Sequence, residues 1–363
     1  MPQDERHRAD AVFEGGGVKG IAFAGAIAAA EDKGGVREWV NVAGTSAGSI
    51  VAALLVAGYD AAGLQKILSD AKYPKFADCG PGGKWLGGVA NALTRIRGLA
   101  PGKYFHQWMS EQLAASPLAK ELGKTELTFA DMKRRDLPPR DQVPNITDEQ
   151  YERARYRLHV IASEVTSGQM LLLPDALPNY QDKAGTQLDK DSYPVVDAVR
   201  MSMSYPFLFT PVRLYKGGKP YYVVDGGLLS NFPIWLFDSP HPKRPTWGFR
   251  LHPGASPTEG LPHRAIPRPF WAVPLLKAMF SAATEAWDRE NLAHAVSART
   301  VSIPTHAIST TDFNLSEANA QALYGWGKDA ATAFFDDPAQ RAYLNGFGAA
   351  VETAAGSAAP APS

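Results

Sequence analysis

The chain opens with two short apolar runs, each followed by a longer and almost wholly aliphatic stretch. Residues 11–14 (AVFE) predict a strand and 20–34 (GIAFAGAIAAAEDKG) a helix, and 40–44 (VNVAG) and 46–58 (SAGSIVAALLVAG) repeat the pair. Strand and helix in alternation predict the start of a parallel sheet covered by helices. Both helices are apolar nearly all round, so they belong to the core rather than to a surface layer. Further on, 157–165 (RLHVIASEV) and 169–174 (QMLLLP) predict a hairpin across Thr166, Ser167 and Gly168. YYVVD (221–225), TWGFRLH (246–252) and TVSIP (300–304) predict further strands. The expected class is α/β, with a mainly parallel central sheet.

Between these elements the pattern breaks. Residues 71–104 are dense in Gly and Pro, which predicts a long loop or small cap, and 139–155 and 177–192 predict polar connectors. There is no internal repeat and no linker between two folding units. One domain over residues 8–345 is expected, followed by a disordered, low-complexity tail at 346–363.

Composition adds mainly exclusions. With 363 residues and 45% apolar composition the chain has the means to bury a large core. Lys plus Arg and Asp plus Glu both number 37, so no net field attracts nucleic acid or an anionic bilayer, and membrane or micelle contact would be peripheral, through a local patch. The polar start MPQDERHRAD does not resemble a secretory signal, and the apolar segments near 21–30 and 271–283 fall short of the ~18 residues a membrane span needs. A cytoplasmic protein is expected, with signal-independent secretion left open. Cys79 is the single cysteine and lies in the Gly/Pro-rich segment, which excludes an intramolecular disulfide and reads as a bystander thiol.

Three motifs carry chemistry. Gly44-Thr45-Ser46-Ala47-Gly48 fits G-x-S-x-G between a strand and a helix, the setting of a strained, exposed nucleophile. The bland alternative is that Ser46 only caps the helix. Gly15-Gly16-Gly17-Val18-Lys19-Gly20 follows the first strand and opens the first helix, leaving amides bare for an anion. A dinucleotide site would need an acidic residue at the end of the second strand, and a P-loop would need Lys then Ser or Thr where Ile21 and Ala22 stand, so both fail. An oxyanion hole beside Ser46 remains, since adjacent parallel strands bring their ends together. Lys19 orients this loop, touches a substrate phosphate, or is an ordinary exposed lysine.

Asp225-Gly226-Gly227 ends an apolar strand, where a buried carboxylate gains basicity and the two glycines leave room beside it; a turn-capping aspartate is the alternative. A His base is the usual partner of a serine. His7 lies in the polar leader, His159 within a strand pattern, and His241, His252 and His263 among prolines or at a strand end, while His106, His294 and His306 have no catalytic surroundings; by order alone His252, His263, His294 and His306 are the candidates for a conventional triad.

The glycine loop, G-x-S-x-G and D-G-G, in this order over residues 15–227, resemble the patatin-like phospholipases. Arg200-Met201-Ser202-Met203-Ser204-Tyr205-Pro206 looks like that family's helix with a Ser and a Pro four apart, and Thr311 to Ser316 with the helix after it resembles a bacterial ending of the family. The resemblance implies a three-layer α/β/α fold, a Ser46/Asp225 dyad and hydrolysis of fatty-acyl esters in phospholipids or other lipids, without metal or cofactor. It places the oxyanion hole at the amides of Gly15, Gly16, Gly17 and Val18, with Lys19, Gly20, Gly44, Ala47, Gly48, Gly226 and Gly227 in support. Lys19 stands where the family has Arg or Lys. The segment 271–280 (WAVPLLKAMF) and the Trp85–Tyr104 loop read either as an apolar mouth for the acyl chain or as core packing. An acyltransferase, a Ser-His-Asp esterase and a silent lipid-binding module are the competing functions.

Overall fold

The computed structural model describes residues 7–76, 100–143, 146–206, 208–239, 242–252, 254, 298–306, 308–310, 312–338 and 340. The strands are β1 (Arg8–Phe13), β2 (Glu38–Thr45), β3 (Leu158–Glu164), β4 (Gln169–Leu173), β5 (Val212–Lys216), β6 (Lys219–Asp225), β7 (Thr246–His252) and β8 (Thr300–Pro304). The helices are α1 (Ile21–Asp32), α2 (Ala47–Val56), α3 (Ala61–Ser69), α4 (Lys103–Ala114), α5 (Pro117–Leu122), α6 (Asp148–Ala154), α7 (Val195–Ser202) and α8 (Glu317–Asp336).

The eight strands among the described residues form one sheet in the order β5-β6-β3-β2-β1-β7-β8, with β4 paired to β3. The pairs β3-β2, β2-β1, β1-β7 and β7-β8 are parallel, and β4, β5 and β6 add an antiparallel margin. A strand has only two edges. Val160 and Ile161 pair with both β2 and β4, and Ala162 to Glu164 pair with both β4 and β6, so β2 and β6 share one edge of β3. They approach each other head-on: Thr45 pairs with Ile161, and Asp225 pairs with the next residue, Ala162.

Side chains alternate between the two faces with the period of the strand. Phe13, Val42, Val160 and Phe249 join the larger core with Phe23 of α1, Leu54 of α2, Val199 of α7 and Leu323 of α8. Val12, Ala43, Ile161 and Leu172 face the other way, onto Phe232, Ile234 and Leu236. Among the described residues, the α-helices that supply buried apolar side chains all belong to the first core. Of the expected three layers, the described residues therefore show the sheet, one helical layer, and an opposite cover made by residues 232–237. Helices α1 and α8 approach closely, because a Cβ on Gly25 would meet the Tyr324 carbonyl at 2.0 Å and one on Gly327 the Ala22 carbonyl at 1.9 Å.

Several expectations change in detail. The Gly/Pro-rich segment ends earlier than 104, since α4 starts at Lys103 and buries Phe105, Trp108, Met109 and Leu113. The polar stretch 139–155 contains α6, which buries no side chain and is held by a capping box between Thr147 and Gln150. Cys79, Trp85, the segment 264–283, His241, His263, His294 and the tail 346–363 lie outside the described residues. No helix among the described residues is long and apolar enough to cross a membrane.

Candidate active site

Ser46 links the last residue of β2 to the first of α2 with φ 52° and ψ −123°, a left-handed backbone that a residue with a Cβ rarely adopts. The surroundings hold it there. Its amide donates to Ser202 Oγ (2.8 Å), and Ser202 Oγ donates to the Ile161 carbonyl (2.5 Å), tying the elbow to β3 through α7. Its carbonyl accepts from the Ser49 amide (2.9 Å) and hydroxyl (2.6 Å). The Ser46 hydroxyl makes no capping bond to α2, so the capping alternative is not realised. It points instead toward Met203 Sδ, at 3.6 Å. The flanking glycines are steric necessities: a Cβ on Gly44 would meet the Gly48 carbonyl at 2.2 Å, and one on Gly48 the Phe13 carbonyl at 2.4 Å.

Asp225 arrives at the same place from the opposite direction. Its amide donates to the Ser204 carbonyl (2.9 Å), and its side chain is buried, 2% exposed. Oδ1 accepts the Gly227 amide (2.9 Å), so the turn-capping role is real, but it occupies only one oxygen. Oδ2 has no hydrogen-bond partner among the described residues, and the Ser46 hydroxyl is a polar neighbour of the carboxyl. Burial pushes the carboxyl up to about 6, against the opposing pull of the Ser46 hydroxyl and the Gly227 amide. Gly226 must lack a side chain, since a Cβ there would meet the Ile161 carbonyl at 2.3 Å.

The glycine loop closes the third side. A Cβ on Gly15 would lie 3.2 Å from Ser46 Cβ, which places this loop directly against the elbow. Its amides are not equivalent. Gly15 donates to the Asn231 carbonyl (3.2 Å) and Val18 to the Thr310 carbonyl (3.2 Å), which leaves Gly16 and Gly17 with no acceptor among the described residues. Gly17 has φ +56°, which favours glycine. Gly20 sits where a Cβ would lie 3.4 Å from Ala47 Cβ, joining the two helix starts. The first amides of α2, beginning at Ala47, have no intrahelical acceptor and carry the positive end of the helix dipole.

Sequence reasoning named Ser202 only as part of a motif and did not single out Met203, Asn231, Glu14 or Thr310. Buried Glu14 accepts from the Leu251 amide (2.5 Å) and Asn231 Nδ2 (3.3 Å), fixing the glycine loop to β7. Its place between the apolar strand and the glycines was the available signal. Arg200 is also buried, donating to Ser204 Oγ (2.6 Å) and to the carbonyls of Pro101 and Thr210, so it braces the turn that receives Asp225.

Among the described residues no histidine hydrogen-bonds Ser46 or Asp225. His252 Nδ1 accepts from the Gly254 amide (3.0 Å), and burial, with the positive charges of Arg250, His306 and Lys19, lowers its pKa. His306 packs against Trp326 with ring centroids 4.4 Å apart. His159 is buried against Phe237, and burial with Arg153 drives its pKa down to about 3. His106 pairs with Asp197 (2.8 Å), and His7 bonds the Gly35 carbonyl (2.8 Å). No group of three or more His, Cys, Asp or Glu among the described residues is placed to hold a metal ion.

The uncharacterized protein YqhO of Bacillus subtilis (strain 168) is 34% identical over 322 residues, covering 88% of this chain and 95% of YqhO. Among solved structures, VipD from Legionella pneumophila superposes with a TM-score of 0.49 at 15% identity, over 91% of this chain and 67% of that one. The ExoU-SpcU complex from the type III secretion system of Pseudomonas aeruginosa gives 0.45 at 16%, over 96% of this chain and 59% of that one. The family model for patatin-like phospholipase matches residues 11–238, a span that contains the glycine loop, the Ser46 elbow and Asp225, and the chain belongs to that family.

Proposed function

We propose that the chain is a serine hydrolase of fatty-acyl esters in lipids, with Ser46 as nucleophile and Asp225 as its base. The supporting observation is the register of β3, which sets the Ser46 elbow and the Asp225 carboxylate at consecutive positions, one strained and the other with an open, basic oxygen. Asp225 takes the Ser46 proton as Oγ bonds to the ester carbon, and the carbonyl oxygen becomes an oxyanion. The amides of Gly16 and Gly17, with the start of α2, receive that charge. Collapse expels the lipid alcohol, which takes a proton from Asp225, and leaves an acyl-Ser46 ester. Asp225 then deprotonates a water that releases the fatty acid and restores the hydroxyl.

The test is lipid mass spectrometry of a mixed membrane extract after incubation with wild type, Ser46→Ala and Asp225→Asn, with fluorophosphonate labelling in parallel. Free fatty acid and a Ser46 adduct are expected only from wild type. A Ser46→Ala protein that releases fatty acid at the wild-type rate overturns the assignment. Loss of activity in His252→Ala with full activity in Asp225→Asn replaces the dyad by a conventional triad. Adding alcohol acceptors separates hydrolysis from acyl transfer, and an adduct-free wild type marks a silent lipid-binding protein.

A further inference from the structure

At the end of the sheet opposite Ser46, where β1, β2 and β3 begin, lies a cavity of about 190 Å3 walled by charged side chains. This is well beyond the ~15 Å3 that a single water needs. Its carboxylates are already paired. Glu38 takes Arg8 (2.8 Å), Asp136 takes Arg8 and Arg134 (2.9 Å to the latter), Glu121 takes Arg135 (2.8 Å), and Asp131 takes Lys124 (2.5 Å). Lys133, also on the wall, is paired outward with Asp191 (2.5 Å).

Arg157 is the exception. It precedes β3, and its backbone is pinned by Arg157 N to the Met132 carbonyl (2.9 Å) and by the Val42 amide to its own carbonyl (2.7 Å). Nη2 donates to the Trp39 carbonyl (2.9 Å), and among the described residues no carboxylate lies within ion-pair distance of the guanidinium. Burial holds its pKa below the ordinary arginine value; Glu38 and Asp136 offset this, while Arg134 and Arg135 add to it. Arg157 is thus the one guanidinium on the wall without a carboxylate partner among the described residues, and its pinned backbone holds it beside open space.

We propose that this cavity is a binding site for a phosphate-class anion, with Arg157 as its central ligand and Arg134 and Arg135 beside it. A planar guanidinium fork matches two oxygens of a phosphate, and the flanking arginines favour a group of more than one negative charge. The anion would supply the charge that Arg157 lacks and clamp the start of β3, the strand whose other end aligns Ser46 with Asp225. The site is independent of the proposed hydrolysis.

The experiment titrates inorganic phosphate into the full chain by calorimetry and, separately, sediments the protein with phosphatidylcholine vesicles with and without phosphatidic acid. Wild type is expected to bind phosphate, and Arg157→Gln to bind it about tenfold more weakly or worse. Glu38→Gln, which removes one negative charge from the cavity wall, is expected to bind more tightly. Phosphate binding without vesicle association identifies a soluble phosphate as the ligand, and Arg157-dependent association with phosphatidic acid identifies a lipid head group. A wild type that binds neither, or an Arg157→Gln protein that binds as wild type does, overturns the proposal. Should Arg157→Gln fail to fold, unchanged or weaker binding by Glu38→Gln overturns it instead.

Discussion

The two ends of the parallel strands treat buried charge in opposite ways. Toward the starting end, Asp10 of β1 is fully buried, yet its Oδ1 takes Arg244 (2.8 Å), the Asn41 amide (3.0 Å) and Asn41 Nδ2 (2.9 Å). At the finishing end, Asp225 is equally buried but pairs with no cation among the described residues, and one of its oxygens has no hydrogen-bond partner there. Burial raises both carboxyls, and in Asp10 it does so even against Arg244. A raised pKa therefore does not distinguish a reactive group from a structural one. What distinguishes Asp225 is the combination of raised basicity, an unbonded oxygen and a neighbouring hydroxyl held in a strained backbone.

Removing each carboxylate while keeping its shape breaks this comparison most sharply. Asp225→Asn should lower kcat/KM about a thousandfold, mid-range for a lost general base, with circular dichroism unchanged. Asp10→Asn should retain the kcat of the folded protein but lose ~3 kcal/mol of stability, because Arg244 is left as an uncompensated buried charge. Equal activity losses in the two variants, once the folded fraction is corrected for, would show that the finishing end has no special role.

Stability against pH is the next measurement. The Asp225 carboxyl titrates near 6 when folded and near 3.9 when unfolded, so the folded state holds its proton more tightly. Its stabilising contribution is complete below pH ~4 and is lost as pH rises through 6, a change of up to ~3 kcal/mol. Asp225→Asn lacks this loss, so denaturant titrations should find it more stable than wild type at pH 8 and nearly equal at pH 4. The same ionisation governs rate. The base must be unprotonated, so kcat/KM should rise about tenfold per unit up to pH ~6 and then level off. A flat profile from pH 5 to 8 would remove Asp225 from the rate equation.

Much of this site was legible in the sequence because its signals are local. Glycines crowd only where backbone packs on backbone, as Gly44 and Gly48 do, and the apolar runs before each motif placed all three at strand ends. Local text could not show that distant carbonyls reach into the glycine loop. Thr310 and Asn231 accept the amides of Val18 and Gly15, which leaves only those of Gly16 and Gly17 without an acceptor among the described residues. Nor does the antiparallel approach of β6 to β2 along β3 follow from either strand alone; it is set by the pairing of Ala162 with Asp225. Helix α6 looks like a connector in the sequence because its capping box, not an apolar stripe, defines it. Strand β5, with the burial of Leu214 its main apolar signal, lacks the alternation that marks a buried strand.

The smallest expected effect tests the link between the two motifs. Ser202 Oγ accepts the Ser46 amide and donates to Ile161, so it couples the elbow to the strand that also aligns Asp225. Ser202→Ala leaves that buried amide without an acceptor, at a cost of roughly 1–3 kcal/mol in stability. If the hydroxyl only stabilises the fold, the loss should appear in denaturant midpoint alone. If it positions Ser46, kcat and the rate of fluorophosphonate labelling should fall together, KM should hold, and the pH midpoint near 6 should not move, because the environment of Asp225 is untouched. A labelling rate equal to wild type would mean that the elbow keeps its strained geometry without Ser202, and that the close fit of Gly44 and Gly48 alone suffices to hold it.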